Sequence, residues 1–211
     1  MYVPHFNAVD DLDEIRRMVA TIGAAQLITT GSDGYPLATL LPVVWEDDVV
    51  IAHLARANPH WKSIGDNTPT LLVVEGPQAY ISPSWYATKA EHGKVVPTWN
   101  CTGVQLTGLA RLHLEPEWLR HAVDTLTTAH EAHRERPWVT TDAPAKYVDG
   151  QLRAIVGIEI RIENVYGKAK LSQNRSTADQ QGVIGGLEHE PHPGAAATAR
   201  EMSRLQADPT R

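Results

Sequence analysis

A group of cations and amides lies near the end of the chain, in the segment GKAKLSQNR. The cations are Lys168, Lys170 and Arg175, and the amides are Gln173 and Asn174. A run of charges is usually a solvated face of a protein. Here the charges are interleaved with side chains that make directional hydrogen bonds, so we expect Lys170 and Arg175 to bind a cofactor or a partner subunit.

A second pair of cations, Arg56 and Lys62, flanks a predicted short helix that begins at Asn58 and Pro59. Asparagine is a good helix N-cap, and proline is favoured at the first helical position. The backbone N–H groups and the dipole at a helix N-terminus attract anions. Arg56 and Lys62 are therefore candidate ligands of an anionic group, the alternative being two solvated surface cations.

Between Ser82 and Asn100 the sequence is irregular and rich in proline, tryptophan, serine and lysine. Irregular segments of this length are often functional. Ser84 and Tyr86 offer hydroxyl donors to the same anionic ligand, or else cap turns. Trp99 offers flat apolar area for a ring system, or else packs in the core.

These candidate residues need a scaffold, and the hydrophobic patterning predicts short strands with interspersed helices. Apolar residues at helical spacing after Asp10 indicate a first helix, and alternation over 104–114 indicates a half-buried strand. The longest helix is predicted to begin at Pro116 and to reach about residue 135. Further strands are expected over 25–30, 35–45, 48–54 and 156–165, and a further helix over 144–155. The pattern predicts an α+β fold built around a small barrel.

Composition limits the class of protein. A chain of 211 residues suits one domain; we expect it to cover residues 1–187, with 188–211 as a loose, apolar-poor tail. The net charge of −6 disfavours a nucleic-acid surface. Cys101 is the only cysteine, so neither an intramolecular disulfide nor a Cys-based zinc site can form. No signal peptide or membrane helix is recognisable, and we expect a cytoplasmic protein.

Four blocks, AHLARANPHWK, GPQAYISPSWY, VPTWN and GKAKLSQNR, with the opening MYVPHF, carry a family resemblance. In order and spacing they resemble the PaiB-like branch of the flavin-reductase-type split β-barrels, over about residues 1–187. Its members are usually labelled FMN-binding negative transcriptional regulators. The resemblance implies an α+β split β-barrel with peripheral helices, a homodimer, and a cofactor in a cleft at the subunit interface. An FMN phosphate or a porphyrin propionate would suit Arg56 and Lys62.

The chain departs from the family pattern in that cleft. Members usually read THLP where this chain reads Thr39-Leu40-Leu41-Pro42, so that a histidine is replaced by leucine, and NPQW where it has His60 in place of the glutamine. FMN needs polar partners around its isoalloxazine edge. Haem needs an apolar slot, cations for its propionates and an axial ligand, commonly neutral imidazole. The exchange favours haem b, with Leu41 in the slot and His60 as the iron ligand, and FMN is the alternative.

His60 also has a simpler interpretation, because a lone histidine is more often exposed or hydrogen-bonded than bound to a metal. His53, at the end of a predicted strand in the same block, is the competing ligand.

The haem interpretation points to a haem-using offshoot of the family, the piperazate synthases, which close N5-hydroxy-L-ornithine into L-piperazate by forming an N–N bond. In that chemistry, used in secondary-metabolite and antibiotic biosynthesis, the iron acts as a Lewis acid on the hydroxylamine of the substrate. A base must take a proton from the α-amine, and Lys89, Lys94 and Tyr86 are the candidates. Arg175 or Asn174 would hold the substrate carboxylate.

Two functions therefore follow from the sequence. The first is a haem-dependent N–N-forming cyclase that acts on a hydroxylated amino acid. The second is an FMN-binding, PaiB-like transcriptional regulator or flavin-dependent oxidoreductase. No helix-turn-helix pattern is evident, and the acidic net charge argues against direct repression of transcription by DNA binding.

Overall fold

The computed structural model describes residues 1–207, which contain eight β-strands and six α-helices. The strands are β1 (Ala8–Val9), β2 (Ala24–Thr30), β3 (Pro36–Pro42), β4 (Val44–Glu46), β5 (Val49–Ala55), β6 (Thr68–Ile81), β7 (Thr98–His113) and β8 (Ile155–Lys170). The helices are α1 (Leu12–Ile22), α2 (Thr88–His92), α3 (Pro116–Glu131), α4 (Ala145–Leu152), α5 (Thr177–Glu188) and α6 (Ala195–Gln206). None of these helices is both long and apolar enough to cross a bilayer.

The strands form one sheet in the hydrogen-bonded order β3-β2-β6-β7-β8-β5-β4, and β1 pairs with β8. The registers of β2 with β3 and β6, of β4 with β5, and of β5 with β8 are antiparallel. Antiparallel strands joined by short turns explain why the sequence shows alternation rather than continuous apolar runs. The α+β class predicted from the sequence is confirmed.

Two compact units divide the described residues. The first consists of Met1–Leu12, Glu75–Gly103 and the described residues from Tyr166 onward, and the second consists of Asp13–Val74 and Val104–Val165. Each of the three longest strands contributes residues to both units. The units interleave along the chain, so no linker marks a boundary in the sequence, and a single domain over 1–187 stays a prediction.

The second unit buries the apolar faces of its strands and helices. Val156, Ile158 and Ile160 alternate along β8 and are fully buried, as the period-two pattern predicts. Helix α1 ends at Ile22 and is followed by Gly23, whose φ of +66° lies in the left-handed region that glycine adopts without strain. Helix α3 begins at Pro116 as predicted, because the missing N–H of proline has no helical partner at that position.

The segment from residue 188 onward differs from the predicted loose tail. Helix α6 packs against α5 and buries Ala195, Thr198, Ala199 and Met202. These positions recur at helical spacing, and alanine has the highest helix propensity. Small side chains therefore form the packing face that large apolar residues usually provide. Positions 208–211 of the prediction lie outside the described residues.

A cationic pocket as candidate functional site

The first unit contains a pocket with a cavity volume of about 390 Å³. Three cations line it, Lys168, Lys170 and Arg175, and no aspartate or glutamate is among its described lining residues. We call it the cationic pocket. Its position follows from strand geometry, because residues two apart on a strand share a face, and β8 therefore places Lys168 and Lys170 side by side.

The two lysines are held by neighbouring acceptors. Lys170 Nζ donates to Thr98 Oγ1 at 2.6 Å and to the Trp99 carbonyl at 2.9 Å. Lys168 Nζ donates to the Tyr2 carbonyl at 3.3 Å. Both ammonium groups are thus fixed by neutral acceptors, which leaves their positive charge uncompensated by these contacts.

Arg175 reaches the pocket from the turn that follows β8. Ser172 has a φ of +65°, and the Arg175 N–H donates to the Ser172 carbonyl at 3.0 Å, which closes the turn. The guanidinium carbon lies 4.8 Å from the ring centroid of Tyr86. That distance is within the range of a cation–π contact. The ring of Tyr86 therefore helps to hold the Arg175 guanidinium in position.

Tyr86 lines the same pocket and is only 3% exposed. Its hydroxyl is buried and has no hydrogen-bond partner among the described residues. A buried polar group left unsatisfied costs about 1–3 kcal/mol, and such groups are normally paired with protein, water or ligand. Tyr86 therefore brings to the pocket lining a hydroxyl whose hydrogen-bonding capacity no described residue uses.

Asp179 holds the segment that carries Tyr86. Its buried carboxylate accepts from the backbone N–H of Thr88 at 3.0 Å and from the Thr88 hydroxyl at 2.9 Å. Burial alone would raise the pKa of Asp179, but the hydrogen bonds from Thr88, the charge of Arg175 and the bond with Ser176 outweigh it, and the pKa is lowered. Asp179 is therefore an ionised anchor beside the pocket.

Glycines on α5 allow a close approach to the same segment. A Cβ atom at Gly182 would clash with the carbonyl oxygen of Trp85, and one at Gly186 would clash with its indole ring. Only glycine permits this contact, which holds Trp85, the neighbour of Tyr86, against the helix.

Asn100 lines the pocket from β7 and is fully buried. Its Nδ2 atom donates to Ser172 Oγ at 3.0 Å and contacts Met202 Sδ at 3.5 Å. The amide is therefore oriented by two separate segments of the first unit. Neither Asn100 nor Asp179 was a predicted site residue, because nothing local in the sequence shows what these side chains contact.

His60 belongs to the second unit and is 4% exposed. Its Nε2 atom lies 2.9 Å from Thr29 Oγ1, and its Nδ1 atom lies 2.8 Å from Thr39 Oγ1. Burial lowers the pKa of the imidazole, which favours the neutral ring. Both ring nitrogens have hydroxyl partners, so a bound iron would have to displace one of the threonines.

The other predicted cofactor residues of the second unit do not line the cationic pocket. Leu41 is buried in β3. Arg56 donates to the carbonyls of Arg153 and Ile155 at 3.1 and 3.3 Å. Lys62 Nζ lies 5.9 Å from the Trp61 ring centroid. The short 3₁₀ helix Pro59–Ser63 is present where a helix was predicted.

The remaining predicted residues lie in the first unit but outside the pocket lining. Lys89 Nζ donates to Ser84 Oγ at 3.2 Å, and both side chains are exposed. Trp99 donates through Nε1 to Gln78 Oε1 at 3.0 Å. Lys94 is exposed. Of all the predicted site residues, the pocket brings together Tyr86, Lys170, Asn174 and Arg175.

The part of the chain that is described contains no cluster of side chains that could bind a metal ion. No group of three or more His, Cys, Asp or Glu side chains among residues 1–207 is arranged to hold a metal ion.

Comparison with known proteins places these observations in a family. The model of a family described as "Putative FMN-binding domain" matches residues 1–164. The Bacillus subtilis (strain 168) protein named "Protease synthase and sporulation protein PAI 2" is 33% identical over 212 residues, which cover 99% of this chain and 97% of the relative. The chain belongs to the PaiB-like FMN-binding family. The resemblance seen in the sequence blocks is thereby confirmed.

Solved structures agree with the fold of this PaiB-like chain. A conserved hypothetical protein of Mycobacterium tuberculosis has a TM-score of 0.60 at 16% identity, covering 83% of this chain and 94% of that one. The FAD and haem binding protein of Mycobacterium smegmatis has a TM-score of 0.59 at 14% identity, covering 83% and 78%. At these identities the likeness concerns the fold alone, which is the split β-barrel class predicted above.

Proposed function

We propose that this PaiB-like protein binds FMN through the cationic pocket and acts in flavin-dependent regulation. The observation that carries the proposal is the convergence of Lys168, Lys170 and Arg175 on one cavity without a carboxylate among its described lining residues. A phosphate monoester carries about −1.5 to −2 charges at neutral pH. Its oxygens would accept charge-assisted hydrogen bonds from these cations.

The rest of the lining suits the body of a nucleotide-like ligand. Tyr2 and Phe6 are 83% and 49% exposed at the pocket, and Val96 is 65% exposed. Exposed aromatic and apolar side chains beside fixed polar groups are typical of small-molecule sites. The volume of about 390 Å³ lies within the usual range for such sites, roughly 300–1,000 Å³.

In this proposal each polar residue has a separate task. Lys170, fixed by Thr98, contributes a stationary charge, and Asn100, whose amide donates to Ser172, holds the turn that carries Arg175. FMN, when bound, supplies one- or two-electron chemistry that amino-acid side chains lack. The regulatory part extends to this chain the label that PaiB-like members usually carry, that of FMN-binding negative transcriptional regulators.

Haem has weaker support than FMN. The proposed iron ligand, His60, has both ring nitrogens engaged by threonine hydroxyls, so the residues do not fit an axial ligand in this arrangement. The haem-dependent cyclase with N5-hydroxy-L-ornithine as substrate therefore has no structural observation in its favour, and we derive no step through haem.

The absorption spectrum of the purified protein, followed by titration with FMN, tests the proposal. We expect flavin bands and saturable FMN binding. Lys170→Ala should weaken FMN binding at least tenfold, because it removes a fixed cation from the pocket. Lys146→Ala is the matched control, since Lys146 is exposed on α4 in the other unit. A Soret band, or the absence of FMN binding, would refute the proposal.

A further inference from the structure

The cationic pocket contains donors of two kinds. The ammonium groups of Lys168 and Lys170 already donate to protein acceptors. The hydroxyl of Tyr86 is buried and has no acceptor among the described residues. A pocket that binds only through charge would not require a buried hydroxyl, so the presence of this donor needs its own explanation.

Arg175 is the second donor whose side chain has no hydrogen-bond acceptor among the described residues. Its guanidinium stands over the Tyr86 ring at 4.8 Å, and no side-chain hydrogen bond of Arg175 occurs within residues 1–207. A guanidinium has five N–H groups in a planar fork that matches phosphate geometry. Because the fork lies over the ring, ring and guanidinium are fixed relative to each other.

The segment that carries Tyr86 is restrained from two directions. Asp179 binds Thr88, two residues further on, through its backbone N–H and its hydroxyl. Gly182 and Gly186 allow α5 to press against Trp85, the residue before Tyr86. Preorganised donors lose little conformational entropy when a ligand binds. The unsatisfied hydroxyl is thus held in place at a local cost in stability.

We propose that the Tyr86 hydroxyl and the Arg175 guanidinium together bind the terminal oxygens of a phosphate monoester, and that this pair selects FMN over riboflavin. The proposal rests on the proposed function and names the chemical group that the pocket recognises. A terminal phosphate offers three acceptor oxygens, whereas the ribityl end of riboflavin offers hydroxyls without charge.

Tyr86→Phe is the decisive substitution, because it removes one oxygen atom and keeps the ring under Arg175. We expect FMN affinity to fall at least tenfold and riboflavin affinity to stay unchanged. The melting temperature of the ligand-free variant should equal or exceed that of the wild type, because an unsatisfied buried polar group is removed. Tyr147→Phe is the control, since Tyr147 is 60% exposed and lies in the other unit.

Arg175→Lys tests the other member of the pair. It keeps the positive charge but loses the planar fork, so FMN affinity should again fall while riboflavin affinity is unchanged. Isothermal titration calorimetry with FMN and riboflavin measures both affinities, and thermal unfolding without ligand measures the stability of each variant.

Three results would overturn the proposal. The first is a wild type that binds FMN and riboflavin equally, which leaves flavin binding intact and removes phosphate recognition. The second is a Tyr86→Phe variant that melts lower than the wild type and binds each flavin as tightly as the wild type does, since the hydroxyl would then be structural. The third is equal loss of both flavins in Tyr86→Phe.

If the wild type binds neither flavin, the proposed function fails, and phenyl phosphate becomes the probe. Binding of phenyl phosphate that weakens in Tyr86→Phe would support the phosphate pair alone. No binding of phenyl phosphate to the wild type would overturn the pair as well.

Discussion

The carboxylate of Asp179 accepts both the backbone N–H and the hydroxyl of Thr88, which lies 91 residues earlier in the chain. Asp179 belongs to the first turn of α5, and Thr88 opens α2. One buried side chain therefore joins two distant segments of the first unit. The pocket residues Tyr86 and Arg175 come from those same two segments.

Asp179→Ala should lower the free energy of unfolding by about 2–3 kcal/mol, because the two partly buried donors of Thr88 lose an ionised acceptor. Asp179→Asn keeps an acceptor oxygen and should lose less. Urea denaturation measures both variants. Equal losses in the two variants would contradict this expectation and would show that the negative charge of Asp179 is required, because asparagine keeps both the volume and an acceptor oxygen.

The buried His60 predicts a pH dependence of stability. Its pKa is lowered from 6.5 by burial, so as the pH falls the unfolded chain takes up a proton before the folded chain does. The contribution of His60 is therefore complete above about pH 6.5 and is lost progressively below it. His60→Gln removes this titrating group. The stability of the variant should therefore fall less steeply than that of the wild type between pH 7 and 5, with slopes that differ by at most about 1.4 kcal/mol per pH unit.

Urea denaturation of both proteins across that range is the measurement. His53, whose pKa is also lowered by burial, contributes a slope of the same sign to both proteins. The difference between the two curves is therefore due to His60. Parallel curves would show that His60 titrates alike in the folded and unfolded chains.

Helix α6 should contribute to stability, in contrast to the loose tail that the sequence suggested. Met202 is 2% exposed and contacts the buried amide of Asn100. Met202→Ala should cost about 2–5 kcal/mol, as truncations of buried side chains do. Arg200→Ala, on the exposed face of the same helix, should change stability by less than about 0.5 kcal/mol. Similar melting temperatures for the two variants would argue against a packed α6.

The homodimer implied by the family stays a prediction, and β3 offers a way to test it. This strand is at one end of the sheet order, and Leu40 on it is 66% exposed. Exposed apolar edge strands are rare in monomers because they pair with other chains. We expect a dimer in sedimentation equilibrium at micromolar concentration, and Leu40→Lys should weaken it. Tyr147→Ser is the control, and a monomeric wild type would refute the prediction.

Parts of the structure with strong local periodicity could be predicted from the sequence. The helix after Pro116 and the alternation of Val156, Ile158 and Ile160 depend on neighbours in the chain, and both were predicted correctly. Helix α6 was missed because the prediction weighed large apolar residues and overlooked the spacing of Ala195 and Ala199.

The site could be predicted only in part, for a different reason. The cluster of Lys168, Lys170 and Arg175 is visible as a run of charges. The threonines that bind the ring of His60 lie 31 and 21 residues away from it, and only the strand register brings them there. Sequence composition carries no information about such contacts. His60 was therefore predicted as an iron ligand without knowledge of the hydroxyl groups that bind its ring.

The glycines of α5 have a consequence for how the first unit moves. Each glycine lowers intrinsic helix stability by about 1 kcal/mol relative to alanine, so α5 depends on its contact with Trp85 more than on its own backbone preferences. A helix stabilised in this way loses amide protection when the contact opens. The rate of hydrogen–deuterium exchange along Thr177–Glu188 would therefore report whether Trp85 is packed against α5.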